Sequence, residues 1–133
     1  MNIAIVFGGK SIEHDVSIVT AKQIYEVSKN KYNCVLLYLD KNNNWFVYQN
    51  KNFEFKDFRE NKFLEPAKLF DGSVVVSKFL KNIKSKVDCA IVCCHGGVGE
   101  NGSLESMLML AGIPVSCGSP TALGIAMDQW TTT

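Results

Sequence analysis

The sequence predicts an α/β domain built on an open, mostly parallel sheet with helices on both faces. Three observations predict it. "NIAIVF" (2–7) and "VDCAIVCC" (87–94) are near-continuous apolar runs, the pattern of strands buried on both faces. Each run is followed by a glycine-rich loop, "GGKSIEHDVS" and "HGGVGENGS". Each loop leads into a segment with helical periodicity. Strand–helix–strand units with right-handed crossovers give a Rossmann-like sheet, and they put both loops on one rim, at the carboxyl ends of the strands.

The remaining elements follow in chain order. With 133 residues there is room for one domain with a real core. After the first loop, a helix runs from about Asp15 or Val16 to Lys29. Ile18, Ala21 and Ile24/Tyr25 mark its buried face, Val16, Val19 and Val27 are expected to widen it, and Asp15 is read as its N-cap. "CVLLYLD" (34–40) is the next strand, and residues 41–50 read as a turn and a short returning strand with a wet face. In 51–73, Phe53, Phe55, Phe58 and Phe63 give partial periodicity that Pro66 and Gly72 break, so an irregular excursion over one sheet edge is expected. Residues 74–86 are read as a short strand and a turn of helix. After the 87–94 strand, a helix spans Ser103 to Leu110, with Ser103 as N-cap and Gly112 and Pro114 closing it. "IPVSCG" is a short strand, and a last helix is expected from Ser119 to about Gln129.

Composition removes several function classes. Formal net charge is +1, and the charges are dispersed, which gives neither a nucleic-acid stripe nor a basic membrane face. The longest apolar runs are far too short to span a bilayer. The chain opens directly into "NIAIVFGG", without a basic n-region or cleavage pattern, so a cytoplasmic protein is expected. Five cysteines, with no CxxC pair, agree with that. A metal cluster of Cys93, Cys94 and His95 is disfavoured, because adjacent strand residues point to opposite faces. The thiols are read as small buried hydrophobes, and no metal site is expected in this chain.

Gly97, Gly99 and Gly102 spell G-x-G-x-x-G. As a dinucleotide fingerprint the match fails three ways. It follows a later strand rather than the first. The next strand ends "SCGS", with no carboxylate for a ribose. Glu100 sits inside the loop, where its charge opposes a pyrophosphate. No G-K-[ST] follows, so it is not a Walker loop. Taken alone, the glycines could simply let the chain turn from strand to helix. The first loop changes the reading, because it places Glu13, His14 and Asp15 between a buried strand and a helix start. If the two strands are neighbours, Glu13 and His95 converge. A carboxylate and an imidazole above helix N-termini suit a small zwitterion. Against this stand plainer readings: Glu100 as a solvated loop charge, His14 as a surface imidazole and Asp15 as a helix cap.

"NIAIVFGGKSIEHDVSIVTA" resembles the opening of the D-alanine–D-alanine ligases. "HGGVGENGSLESMLMLAGIPVSCGSPTALGIAMDQ" resembles that family's second signature, with its helix, "GIP" and a glycine–serine turn. The resemblance covers about 1–40 and 87–129. It implies a pre-ATP-grasp, substrate-binding domain over 1–128, with 129–133 as the start of a central ATP-grasp domain. It implies an ATP-dependent ligase in which ATP phosphorylates one D-alanine and the amine of a second attacks, for peptidoglycan synthesis and cell-wall biogenesis. By the same resemblance Glu13 is catalytic and contacts the first D-alanine's ammonium. Val16 and Ser17 line that subsite. His95, with Gly96 beside it, lies near the substrate carboxylate, and Glu100 organises the loop. Two positions depart from the family pattern. Gln129 stands where the family has a lysine that approaches the ATP phosphates, and Asn101 stands where it has an aspartate. ATP and magnesium are then expected on the ligase's other domains, not on this chain. The expected partners are D-alanine, those domains of the same polypeptide and, in the full-length enzyme, a second copy in a homodimer, with no nucleic acid and no membrane. The 133-residue chain alone is expected to be inactive. The alternative is a free-standing module that binds a small amino acid, or a subunit beside a separate ATP-grasp chain. Whether the second substrate is D-alanine, D-serine or D-lactate stays open.

Overall fold

The computed structural model describes residues 2–9, 14–50, 52–78, 81–93 and 103–117. The elements are β1 (Asn2–Gly8), α1 (His14–Ser28), β2 (Asn33–Leu39), β3 (Trp45–Tyr48), α2 (Phe55–Arg59), β4 (Leu64–Phe70), β5 (Ser73–Lys78), β6 (Lys81–Lys86), β7 (Cys89–Val92), α3 (Ser103–Leu110) and β8 (Val115–Cys117). Among the described residues they build one eight-stranded sheet in the order β6-β5-β4-β3-β2-β1-β7-β8.

The sheet has two halves. β2, β1, β7 and β8 are mutually parallel, as expected for the strands that carry the loops. β3 to β6 extend the sheet antiparallel. β1 lies inside the parallel half, and Ile3 to Phe7 are all buried, which is why its sequence does not alternate. Ile3, Ile5 and Phe7 point to one face and pack with Ile18, Ala21 and Ile24 of α1 and Phe58 of α2. Ala4 and Val6 point to the other and pack with Leu37, Leu39, Val92 and Leu108 of α3. Helices therefore cover both faces. Single crossovers to the left (β1 to β2) and to the right (β7 to β8) put α1 and α3 on opposite sides.

Four expectations need correction. Val16, Val19 and Val27 do not widen the core face of α1; they are 52%, 48% and 39% exposed, because the buried stripe is His14, Ser17, Ile18, Ala21, Ile24 and Ser28. Asp15 is not the N-cap. The helix already includes His14, so Asp15 lies in the first turn, where a carboxylate meets the partial positive charge of the helix N-terminus. The excursion over 51–73 is not irregular, since it holds α2 and β4. Pro66 is tolerated because Leu64–Pro66 pair only with β3, whereas the ladder to β5 begins at Ala67. Finally, 81–86 is a strand rather than helix. Val74 and Val76 alternate with more exposed residues, and β6 completes a hairpin with β5. Lys84 and Lys86 are exposed on this edge strand, a composition that discourages pairing with other chains.

The antiparallel half curls towards α3. Gly72, in the β4–β5 turn, donates its N–H to the Ala111 carbonyl at 2.7 Å and accepts from the Val87 N–H at 2.9 Å. Val74 and Val87 thereby join the apolar cluster on the α3 face. The helix expected over 119–129 and the proposed boundary at 128/129 lie outside the described residues.

Candidate functional site

β1 and β7 are neighbours in parallel register, from Ile3 opposite Cys89 to Val6 opposite Val92. The Cys93 N–H donates to the Val6 carbonyl at 2.7 Å. The two glycine-rich loops therefore leave the sheet side by side on its carboxyl rim. This meets the condition under which Glu13 and His95 could converge. Glu13, His95, Gly96, Glu100, Asn101 and Gln129 themselves lie outside the described residues.

The described part of the rim is the base of the first loop. Gly8 turns with φ at +97°, and a Cβ there would lie 2.2 Å from the Leu39 carbonyl oxygen. The chain passes so close to β2 that only glycine fits. Its N–H donates to the Ser17 hydroxyl at 2.7 Å, and that hydroxyl donates to the His14 carbonyl at 2.7 Å. The Gly9 N–H donates to the Leu39 carbonyl at 2.7 Å. Ser17 is fully buried. Its hydroxyl is thus spent on stitching the first turn of α1 to the end of β1. Val16, one residue earlier, points to the exposed side of the same turn.

His14 is not a surface imidazole. It is 5% exposed, and both ring nitrogens have partners. Nδ1 lies 2.5 Å from the Gly9 carbonyl oxygen, which can only accept, so Nδ1 carries the hydrogen. In the neutral ring Nε2 then accepts from the Tyr38 hydroxyl, 2.8 Å away. The His14 ring also meets the Tyr38 ring edge to face, with centroids 5.4 Å apart. Burial, then the Asp40 and Asp15 carboxylates, push the Tyr38 hydroxyl up to about 12. It therefore stays a donor throughout the physiological range. The sequence reading missed Tyr38; a lone phenol at the rim end of an otherwise aliphatic strand was the available signal.

Beside this cluster lies a cleft of about 430 Å³, lined by Asp15, Tyr38, Asp40, Lys41 and Arg59 among others. Among the described residues, no group of three or more His, Cys, Asp or Glu could hold a metal ion. Cys34 and Cys89 are half-buried and Cys93 is buried, and none of the three is in a disulfide. Burial pushes the Cys34 thiol up, which suits an inert hydrophobe rather than a ligand.

A family model described as "D-ala D-ala ligase N-terminus" matches residues 2–118. The D-alanine–D-alanine ligase of Thermosipho melanesiensis is 36% identical over 138 aligned positions, covering 97% of this chain and 37% of that protein. The ligase of Oceanobacillus iheyensis is 35% identical, with 96% and 37% covered. Among solved structures, the D-alanine–D-alanine ligase from Helicobacter pylori superposes with a TM-score of 0.73 at 30% identity, over 86% of this chain and 37% of that one. The VanG D-Ala:D-Ser ligase from Enterococcus faecalis gives 0.69 at 29%, over 86% and 34%. The chain thus spans a little over a third of the length of the relatives it matches. The family match runs from the first residue of β1 to just past the last of β8, and so takes in both rim loops and every strand described; the chain belongs to the D-alanine–D-alanine ligase N-terminal domain family.

Proposed function

We propose that this chain is the substrate-binding domain of an ATP-dependent ligase that joins two D-alanines for peptidoglycan synthesis. The observation that carries the reading is the adjacency of β1 and β7, which sets the two signature loops side by side on one rim. In this reading Glu13 takes the ammonium of the first D-alanine, and Val16 closes the side of the subsite. His95 and Gly96 face the carboxylate, and Glu100 organises their loop. Ser17 serves indirectly, by fixing the loop's exit into α1.

ATP with magnesium supplies the phosphoryl group that activates the first carboxylate. The described residues do not fit either group. The Gly8 and Gly9 N–H groups, which a phosphate cradle would use, are already bonded to Ser17 and Leu39, and no described cluster suits a metal. We therefore assign nucleotide and metal to the other domains of the same polypeptide, with Gln129 in place of the family's lysine making at most a neutral contact. We also place the protein in the cytoplasm. No described helix is long and apolar enough to cross a membrane.

Exchanging Glu13 for glutamine in the full-length ligase tests the reading. A charge-assisted hydrogen bond to the ammonium is lost, so kcat/KM for the first D-alanine should fall roughly 10- to 150-fold. Glu100→Gln should cost much less, and neither variant should change Tm appreciably. Near-wild-type kinetics for Glu13→Gln, or a loss that tracks a lowered Tm, would remove Glu13 from the catalytic role.

A further inference from the structure

The His14 imidazole bonds to the chain on the far side of the first loop. Residues 9 and 14 are the two stems of that loop, and His14 Nδ1 donates to the Gly9 carbonyl at 2.5 Å. The same ring is anchored through Nε2 to Tyr38, at the rim end of β2. Tyr38 is held in turn by ring contacts with Phe7 of β1 and Phe58 of α2, at centroid distances of 5.5 and 4.9 Å. A buried imidazole on a surface helix would ordinarily cost stability, and nothing in helix formation requires one at the first position. Its bonds instead serve the loop. Glu13 is bonded covalently to His14, so whatever fixes the His14 backbone fixes one end of residue 13.

We propose that His14 is a positioning residue: with Tyr38 as its anchor, it ties the stems of the first loop together and so constrains Glu13, the residue bonded to it. This rests on the proposed role of Glu13, but the tie itself does not. The Ser17 hydroxyl also joins the stems, between Gly8 and the His14 carbonyl, but stays within β1 and α1, and the Leu39 carbonyl holds Gly9 on the strand side alone. Only the His14 ring spans from stem to stem and on to a second strand among the described residues.

The test uses four variants. His14→Leu removes both bonds. His14→Asn places an amide N–H near Nδ1 and keeps only the bond to Gly9. Tyr38→Phe removes only the anchor. Tyr48→Phe, which loses the hydroxyl bond to Asp57 but keeps its ring against Phe58, is a control that lowers stability without removing any hydrogen bond of the loop. In the 133-residue chain, amide hydrogen exchange across residues 8–17 should speed up in His14→Leu and return towards wild type in His14→Asn. In the full-length ligase, His14→Leu should lower kcat/KM for the first amino acid on the order of 10²-fold, the usual cost of a catalytic group displaced by about 1 Å. Tyr38→Phe should cost about fivefold, the loss of one neutral hydrogen bond. KM for ATP should not move. Tyr48→Phe should lower Tm and leave both kinetic constants alone.

Unchanged exchange in His14→Leu would overturn the tie. Equal kinetic losses in His14→Leu and His14→Asn, or a loss that Tyr48→Phe reproduces at equal Tm, would overturn the positioning role. If the wild-type full-length protein joins no amino acids, the ligase reading falls, and the exchange result alone decides for or against the tie.

Discussion

At the scale of single residues, the rim is built by groups that satisfy backbone rather than ligand. Gly8, Ser17, His14 and Tyr38 form one hydrogen-bonded chain across β1, α1 and β2. Gly8 is the most constrained, since a Cβ would meet a backbone oxygen of β2, not a side chain that could move away. Gly8→Ala should therefore destabilise the chain by about 2–3 kcal/mol, from backbone strain and displacement of β2. Urea unfolding measures this, and a loss under 1 kcal/mol would mean that β2 yields easily. The glycine pair was legible in the sequence as a tight strand-to-helix turn. The role of His14 was not. Tyr38 lies 24 residues away along the chain, and only the pairing of β2 with β1 brings its hydroxyl to the imidazole.

At the scale of elements, α2 is held by a buried polar clasp. Tyr48 donates to Asp57 Oδ2 in a short hydrogen bond, Asn50 donates to the same oxygen at 2.9 Å, and the Glu54 N–H donates to the Tyr48 hydroxyl at 3.1 Å. Around it Phe53 and Phe58 stack against Tyr48 and Phe7. Burial alone would push the Asp57 carboxyl up. The hydrogen bonds from Tyr48 and Asn50, helped by Lys56 and Lys62, outweigh it and hold the group below its usual 3.8. Burial and the bond to Asp57 push Tyr48 up to about 12. A depressed carboxyl stabilises fully above its unfolded pKa, and that contribution is lost as pH falls through the folded value. A raised phenol stabilises fully below its unfolded pKa of 10.0, and that contribution is lost as pH climbs towards about 12. The clasp should thus hold best between those limits. Asp57→Asn should cost about 1 kcal/mol near neutral pH, the difference between a charged and a neutral acceptor. The deficit should shrink below pH 3.8 as the wild-type carboxyl is protonated. Urea midpoints of both proteins against pH check this, and a deficit that persists unchanged at low pH would contradict it. Phe53 and Phe58 were visible in the sequence, but their partners were not. The cluster draws on β1, β2 and β3, and no local period encodes that.

At the scale of the whole molecule, two apolar clusters, one on each face of the sheet, support the rim that carries the glycine-rich loops. β1 is packed on both faces and the β4–β5 turn reaches α3, so the domain has its own hydrophobic interior. It should fold alone. By the proposed reading it should not turn over alone, because phosphoryl transfer needs phosphate and metal contacts that the described residues do not offer. The purified chain mixed with ATP, magnesium and D-alanine should release no phosphate above background. D-alanine-dependent release would overturn the assignment of those contacts to other domains.

The sequence by itself determined the α/β class, the buried β1 and β7 and the placement of glycine-rich loops after them. Each of these is written locally: continuous apolar runs for strands covered on both faces, then glycines, then helical spacing. The two long motifs together carried the family resemblance, because their order and separation are read along the chain. Only the tertiary structure decided that β1 and β7 are adjacent, that 81–86 pairs as an edge strand and that His14 turns inward to Tyr38. The reason is physical. Strand adjacency and the partners of buried polar groups depend on which distant segments meet, and for those the entropy of loop closure and the packing of both sheet faces outweigh local preference.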